Sequence, residues 1–231
     1  MAEPLALRVV SYNVHGLRDD TAALTGTVRG LAPDVLIVQE APRRLRWRTR
    51  CAQLARALGL VYAAGGLPSL GNVIMVSHRV RIHHTWHLQF PLTPGRHLRG
   101  AVFARASVAR TGLVLAGAHL ATDPAERPAQ AHALARELAG LAEPVVLGVD
   151  VNETCGGSAW RTLVDALADT AAGHPAAGTA TYPTGDPRDR IDLLLADPRL
   201  AVAGYQVVDT ATARLASDHL PVVADLLVPA G

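Results

Sequence analysis

Two cysteines, two phenylalanines, three tryptophans and four tyrosines are all that 231 residues offer of these types, and each shortage removes an explanation. Cys51 and Cys155 are too few and too far apart for a disulfide framework or a zinc cluster, so a reducing compartment is the default and both thiols are expected to be packing residues. Aromatic residues make up only 4%, which is little for a dedicated nucleic-acid binder that stacks on bases or wedges between them. Charge is sparse as well: 18% of residues are charged and the formal net charge is +2, so no global field announces a polyanionic partner. No apolar run approaches the roughly eighteen residues of a membrane span. The opening stretch MAEPLALRVVSYN lacks a basic segment followed by a long apolar one. The expectation is a cytoplasmic monomer without a membrane span. Nor is there an internal repeat or a low-complexity linker. A single domain over 1–231 is therefore expected, since this length suits one large sandwich.

Nearly half of the chain, 49%, is hydrophobic, and it is arranged in short runs rich in Val, Ile and Leu between turn signals. Leu7 to Val14, Val35 to Val38, Val73 to Val76, Ala101 to Val108 and Leu113 to Leu120 read as strands with at least one buried face. So do Val145 to Val151, Ile191 to Leu195, Val202 to Val208 and Pro221 to Val228. Helical spacing appears between them. Trp47, Cys51, Leu54 and Leu58 fall on one face with arginines between, and Ala131, Leu134, Leu138 and Leu141 repeat the pattern. Thr21 to Leu31 and Ser158 to Ala168 are further helices, the latter with Ser158 as its cap. Strands outnumber helices, and two packed sheets covered by helices on their outer faces follow, an α/β (α+β) sandwich.

The strands stop being apolar at particular places. Asn13 ends the first, Glu40 follows the second, and Asp150 with Asn152 ends another. Residues i and i+2 of a strand share a face, so Asp150 and Asn152 can present a carboxylate and an amide side by side, to a metal or to a phosphate. Hard divalent cations prefer oxygen ligands, and Glu40, Asp150 and Asp218 are available to hold Mg²⁺; thiolates and a His-x-x-x-His pair are missing, which argues against zinc. Taken singly, each has an ordinary role: an Asp or Asn after a strand forms a turn or caps a helix, and His119 in LVLAGAHLA can be a satisfied core histidine. Asp192 in RIDLLLAD differs, because a carboxylate inside an apolar strand needs a partner. Arg190 is one candidate and a histidine is the other.

In order, the chain carries SYNVHG with Asn13, DVLIVQE with Glu40, GNVIMVS around Asn72, RGAVFARASV after Arg99, AGAHL with His119 and GVDVN with Asp150 and Asn152. TYP, RIDLLLA with Asp192 and SDH with Asp218 and His219 complete the set, and Arg127 to Gln130 supplies an R-x-x-Q. This ordered set resembles the endonuclease/exonuclease/phosphatase superfamily over nearly the whole chain. Relatives of that superfamily include deoxyribonuclease I-like nucleases, neutral sphingomyelinases and inositol polyphosphate phosphatases.

The resemblance implies a four-layered α/β sandwich, two mixed β-sheets packed face to face and flanked by helices, with the site at one rim. It implies Mg²⁺ or Mn²⁺ held by Glu40 with Asn13 and Asp218. It also implies that Asp192 orients His219, that His119 contacts the scissile phosphate, that Asn152 donates to a phosphoryl oxygen, and that Asp150 or His219 activates water. The sequence departs from the commonest pattern at Val149, where a glycine is usual, and at His15, where several relatives carry an acidic or amide metal ligand; the second departure argues against a second metal site.

Substrate is less legible, since one such scaffold serves many phosphoesters. Arginines at 43, 44, 46, 48 and 50 follow Glu40. They form a solvated helix surface around an inward Trp47, or else Arg43 and Arg44 face a phosphate-rich ligand. GRHLRG adds Arg96, His97 and Arg99. Arg43, Arg44, Asn72 and Arg99 are the expected substrate-binding residues. A phosphodiesterase acting on DNA or RNA by direct water attack is the leading expectation. A phosphomonoesterase or a sphingomyelinase-like enzyme is the alternative, and a non-catalytic phosphate-binding module is the second.

Overall fold

The computed structural model describes residues 4–229 of the chain. In chain order, strand β1 (Leu5–Asn13) leads through a 3₁₀ turn to helix α1 (Thr21–Leu31), β2 (Val35–Gln39), α2 (Trp47–Leu58) and β3 (Val61–Gly65). Next come β4 (Val73–Val76), β5 (Val80–Gln89), β6 (Gly100–Val108), β7 (Thr111–His119), α3 (Arg127–Ala139) and β8 (Val145–Asp150). The chain continues through α4 (Ser158–Ala166), β9 (Ala168–Asp169), β10 (Asp192–Ala196), β11 (Ala201–Val207), α5 (Ala211–Ala216) and β12 (Val222–Val228). The strands form two six-stranded sheets, ordered β11-β12-β1-β2-β4-β3 and β5-β6-β7-β8-β10-β9. Both are mixed, because β1–β2 and β7–β8 run parallel and their other pairings are antiparallel.

Period-two alternation decides which side chains meet between the sheets. Leu7, Val9, Val35 and Ile37 of the first sheet face Leu113, Leu115, Val146 and Leu194 of the second in one continuous core. The opposite face of the first sheet, with Val10, Tyr12, Leu36 and Met75, packs under α1 and α2. The opposite face of the second, with Phe103, Ala116, Leu147 and Leu193, packs under α3 and α4. The result is the four-layered sandwich that the sequence implies.

The two sheets interlock at one notch. Gly117 and Gly148 are paired neighbours on β7 and β8. A Cβ on Gly117 would come within 2.7 Å of Ile37 Cγ2, and one on Gly148 within 2.7 Å of Ser11 Oγ and 3.0 Å of Ile37 Cβ. The missing side chains therefore make the socket for Ile37. Gly148→Ala is expected to destabilise the protein by about 1–3 kcal/mol, the usual range for overpacking a closed interior. Urea unfolding checks this, as a lowered midpoint with an unchanged slope.

The sequence reading is incomplete or wrong at several elements. Strands β3, β5 and β9 and helix α5 are elements the sequence reading did not name. Strand β5 is an edge strand whose outward positions hold His83, His84 and His87. Helix α4 is capped not by Ser158 but by the Glu153 carboxylate, which accepts from the amides of Ala159 and Trp160 at 2.9 and 3.3 Å; Ser158 is already inside the helix. Cys51 is buried, as a packing residue should be, whereas Cys155 is exposed. No helix among the described residues is long and apolar enough to cross a membrane.

Candidate active site

Strand register sets out the polar residues. His119, Asp150 and Asp192 occupy one rung across three adjacent strands, with His119 opposite Asp150 and Asp150 opposite Asp192. On the other sheet Asn13 pairs with Gln39. Following the alternation along β7, Leu113, Leu115 and Gly117 face the core, and His119 continues the same face one rung further. The rung is thus the place where the inter-sheet core ends and opens into a cavity of about 520 Å³. Asn13, Glu40, His119, Asp150, Asn152, Asp218 and His219 all line it.

Asp150 is buried at the floor. Its Oδ2 accepts from Asn13 Nδ2 at 2.9 Å and lies 3.3 Å from His119 Nε2 and 3.9 Å from His219 Nε2. Its Oδ1 accepts from the amide of Asn152 at 3.0 Å, which supports the left-handed backbone of that residue, φ 54°. The side chain of Asn152 donates to the carbonyl of Leu120 at 3.0 Å and approaches His119 Nε2 at 2.9 Å. The R-x-x-Q pair braces this corner from α3. Arg127 donates to the carbonyls of Thr122 and Asn152, and Gln130 accepts from the amide of Ala121.

The two imidazoles live in opposite electrostatic settings. His219 Nδ1 sits 2.9 Å from Asp192 Oδ2, which answers which partner the buried Asp192 meets; Arg190 instead forms a bidentate pair with Asp169 at 2.8 and 2.9 Å. Burial alone pushes the His219 pKa down, but the charge and hydrogen bond of Asp192, with Asp150 and Asp218 behind, hold it up at about 10. Its ring is an imidazolium near neutrality. Burial pushes His119 the other way, to about 3, with Arg99 reinforcing that shift against Asp150. Arg99 Nη1 lies 3.0 Å from His119 Nδ1. A guanidinium and an amide nitrogen are both donors, so each ring nitrogen of His119 faces a donor, and together with burial this disfavours the charged ring.

The opposite wall carries free oxygen donors. Glu40 has a left-handed backbone, φ 56°, and its carboxylate has no hydrogen bond or ion pair among the described residues. Of the eight non-glycine residues with positive φ among the described residues, four line this cavity: His15, Glu40, Leu70 and Asn152. Left-handed backbone of that kind costs on the order of 1–3 kcal/mol per residue and collects where geometry is functional. The Asp218 side chain is 35% exposed and faces the cavity, and Asn13 Oδ1, which accepts from the His15 amide at 3.0 Å, keeps a second lone pair. This all-oxygen set fits a hard divalent cation. Asp150, Asp192 and His219 also offer ligand atoms within 4.8 Å of one another, but Asp192 and His219 already satisfy each other, so the open Glu40 wall is the better match. His15 reaches the same wall, with Nδ1 2.8 Å from Asp19 and Nε2 3.7 Å from Asp218.

Of the expected substrate residues, Arg43, Arg44 and Arg99 line the cavity and Asn72 does not. Asn72 is buried and its amide nitrogen donates to the carbonyls of Ser69 and Gly100 at 2.7 and 2.9 Å, which ties the 66–71 loop to β6. Of the GRHLRG cluster, His97 and Arg99 line the cavity and Arg96 does not, and the sequence reading missed Arg18, Arg50 and Tyr182 as lining residues. The Tyr182 ring lies 4.7 Å from the His219 ring. Its signal was present in the TYP segment, read only as a landmark.

A family model described as Endonuclease/Exonuclease/phosphatase family matches residues 10–219. No curated protein matches the chain. Among solved structures, an endonuclease/exonuclease/phosphatase family protein from Bacteroides thetaiotaomicron is similar at 18% identity and a TM-score of 0.82, covering 99% of this chain and 100% of that one. A mannosyl-6-phosphatase from the same organism has 18% identity and a TM-score of 0.79, over 96% and 99%. D. rerio TDP2 complexed with a single-strand DNA product has 18% identity and a TM-score of 0.76, over 96% and 98%. At such identities these likenesses speak for the fold.

Proposed function

Since the chain belongs to the endonuclease/exonuclease/phosphatase family, we propose that it is a divalent-metal-dependent phosphoester hydrolase acting by direct attack of water on phosphorus. One observation carries this reading: a single carboxylate, Asp150, stands between a neutral imidazole and a charged one at the floor of a cavity that is also lined by the unpaired Glu40 carboxylate and by the part-exposed Asp218. Glu40 and Asp218, with Asn13, would hold Mg²⁺ or Mn²⁺. When bound, the ion supplies charge stabilisation for the phosphoryl oxygens.

The protein's own groups divide the remaining work. His219 is protonated near neutrality and so cannot take a proton; Asp150 can. The water oxygen bonds to phosphorus as its proton passes to Asp150, and the bond to the leaving oxygen breaks, with solvent supplying that oxygen's proton. His219 Nε2–H and the Asn152 amide donate to the nonbridging oxygens, where negative charge grows, and His119 contacts the same phosphate. Asp192 fixes the His219 tautomer and balances its charge.

A phosphodiester of nucleic acid is the first substrate reading, supported by relatives such as the fish protein with its DNA product. A compact phosphomonoester is the second, favoured by the size of the cavity and by the five arginines that line it. A screen with Mg²⁺ or Mn²⁺ against plasmid DNA, RNA, nucleotides, sugar phosphates and sphingomyelin tests the reading. Turnover lost on chelation is expected. No turnover on any of them would sink the hydrolase in favour of a phosphate-binding module.

A further inference from the structure

Of the protein's 22 arginines, thirteen are ion-paired or line the main cavity, and the other nine do neither among the described residues. Eight arginines, at 8, 79, 96, 105, 188, 190, 199 and 214, are ion-paired with a carboxylate, and none of those eight lines the main cavity. The five that do line it, Arg18, Arg43, Arg44, Arg50 and Arg99, have no carboxylate partner among the described residues. Arg99 is occupied with His119, and Arg18 lies 3.5 Å from His15 Nε2. That leaves Arg43, Arg44 and Arg50 in the segment that follows Glu40.

These three are set apart from the other arginines of the run. Arg48 stacks over the Trp47 ring, 4.4 Å from its centroid, and Arg46 is the exposed residue at the start of α2; neither lines the cavity. Arg43 is held in place, its Nη1 donating to the Leu70 carbonyl at 3.0 Å. Arg44 and Arg50 make no side-chain hydrogen bond among the described residues, so their guanidinium donors are free. Like charges gathered on one cavity wall repel unless an anion joins them, and guanidinium groups match phosphate oxygens bidentately.

We propose that Arg43, Arg44 and Arg50 form a second anion subsite beside the reaction centre, so that the preferred substrate is a phosphoester carrying a further phosphate next to the one that is cleaved. The proposal rests on the hydrolase reading above for the position of the scissile group. The second phosphate has two possible sources, a small bisphosphate or the neighbouring phosphate of an oligonucleotide, and the recognition chemistry is the same for both.

Binding and hydrolysis are measured separately. Calorimetric titration of inorganic pyrophosphate, with Mg²⁺ at one concentration throughout, compares the full-length protein with the Arg44→Gln/Arg50→Gln double variant. The dissociation constant is expected to rise at least about tenfold, the size of one lost charge-assisted hydrogen bond. The Arg46→Gln/Arg48→Gln double variant removes the same charge outside the cavity and is expected to bind as the unaltered protein does. Equal binding by all three, or equal weakening in both variants, overturns the proposal.

The hydrolysis arm uses a nucleoside bisphosphate, a single-stranded trinucleotide and bis(p-nitrophenyl) phosphate, which has one anionic phosphate. Removing Arg44 and Arg50 should lower the ratio of kcat/KM for the better doubly charged substrate over the last by about tenfold. An unchanged ratio overturns the proposal, and whichever doubly charged substrate leads in the unaltered protein names the source. If none is hydrolysed while pyrophosphate binding still depends on Arg44 and Arg50, the hydrolase reading fails and the anion subsite stands.

Discussion

Asp150→Asn is expected to lower kcat/KM by about 10²- to 10⁴-fold, the range for losing a positioned general base, while circular dichroism and the urea midpoint show a folded protein. The substitution is close to isosteric. Asparagine Oδ1 can still accept from the Asn152 amide, the bond that supports the left-handed turn at that residue. What it removes is the proton acceptor between the two imidazoles. The alternative base, His219, is held charged up to about pH 10 by Asp192, Asp150 and Asp218, so it has no lone pair to offer at neutrality. A variant that keeps activity within tenfold of the unaltered protein would return the water to His219. The loss should appear in kcat rather than in KM, because Asp150 acts on the proton in flight and not on the bound ground state.

Much of this geometry could be read from the sequence because strand alternation carries it. His119, Asp150 and Asp192 each interrupt an apolar strand, and each lies on the face that its strand turns to the core, so their convergence on one rung follows once β8 is flanked by β7 and β10. The pairing of those strands is not a local property. Local sequence therefore leaves both Arg190 and a histidine open as partners of Asp192, and it is β9 that brings Asp169 to Arg190. The cavity wall is less local still. Arg43, Arg50, His97 and Tyr182 come from loops and helix starts with no shared period, and what brings them together is contact such as that of Arg43 with Leu70. Asn72 illustrates the reverse error. A buried asparagine in a recognisable segment serves the 66–71 loop through its amide and stays out of the cavity. The missed strands have separate causes: β3 is a short run of mostly small residues that ends in glycine, β9 has two residues, and β5 is an edge with polar outward positions.

Asp192→Asn is expected to cost about 3–5 kcal/mol of stability near neutral pH, the range for removing one partner of a buried ion pair. Asp192 and His219 are both buried, and Asp192 Oδ2 is the atom that meets the imidazolium at 2.9 Å. The pH dependence has a definite sign. His219 has its pKa raised on folding, from the ordinary 6.5 to about 10, so the folded state holds a proton that the unfolded state releases between those values. The stabilisation from this group is complete below about pH 6.5 and declines as pH rises, until it is gone above about pH 10. Urea unfolding across that window should show the unaltered protein losing stability as pH rises. In the variant the same window should be flatter, because the imidazole loses its principal anion and its folded pKa moves back toward the ordinary value; Asp150 and Asp218 remain and keep part of the slope. Parallel curves for the two proteins would show that the His219 proton is held by something other than Asp192. The same variant also separates positioning from chemistry. If Asp192 acts through His219, the variant's kcat should fall with an altered pH profile. A purely structural role would instead lower the amount of folded protein and leave the profile of the remainder unchanged.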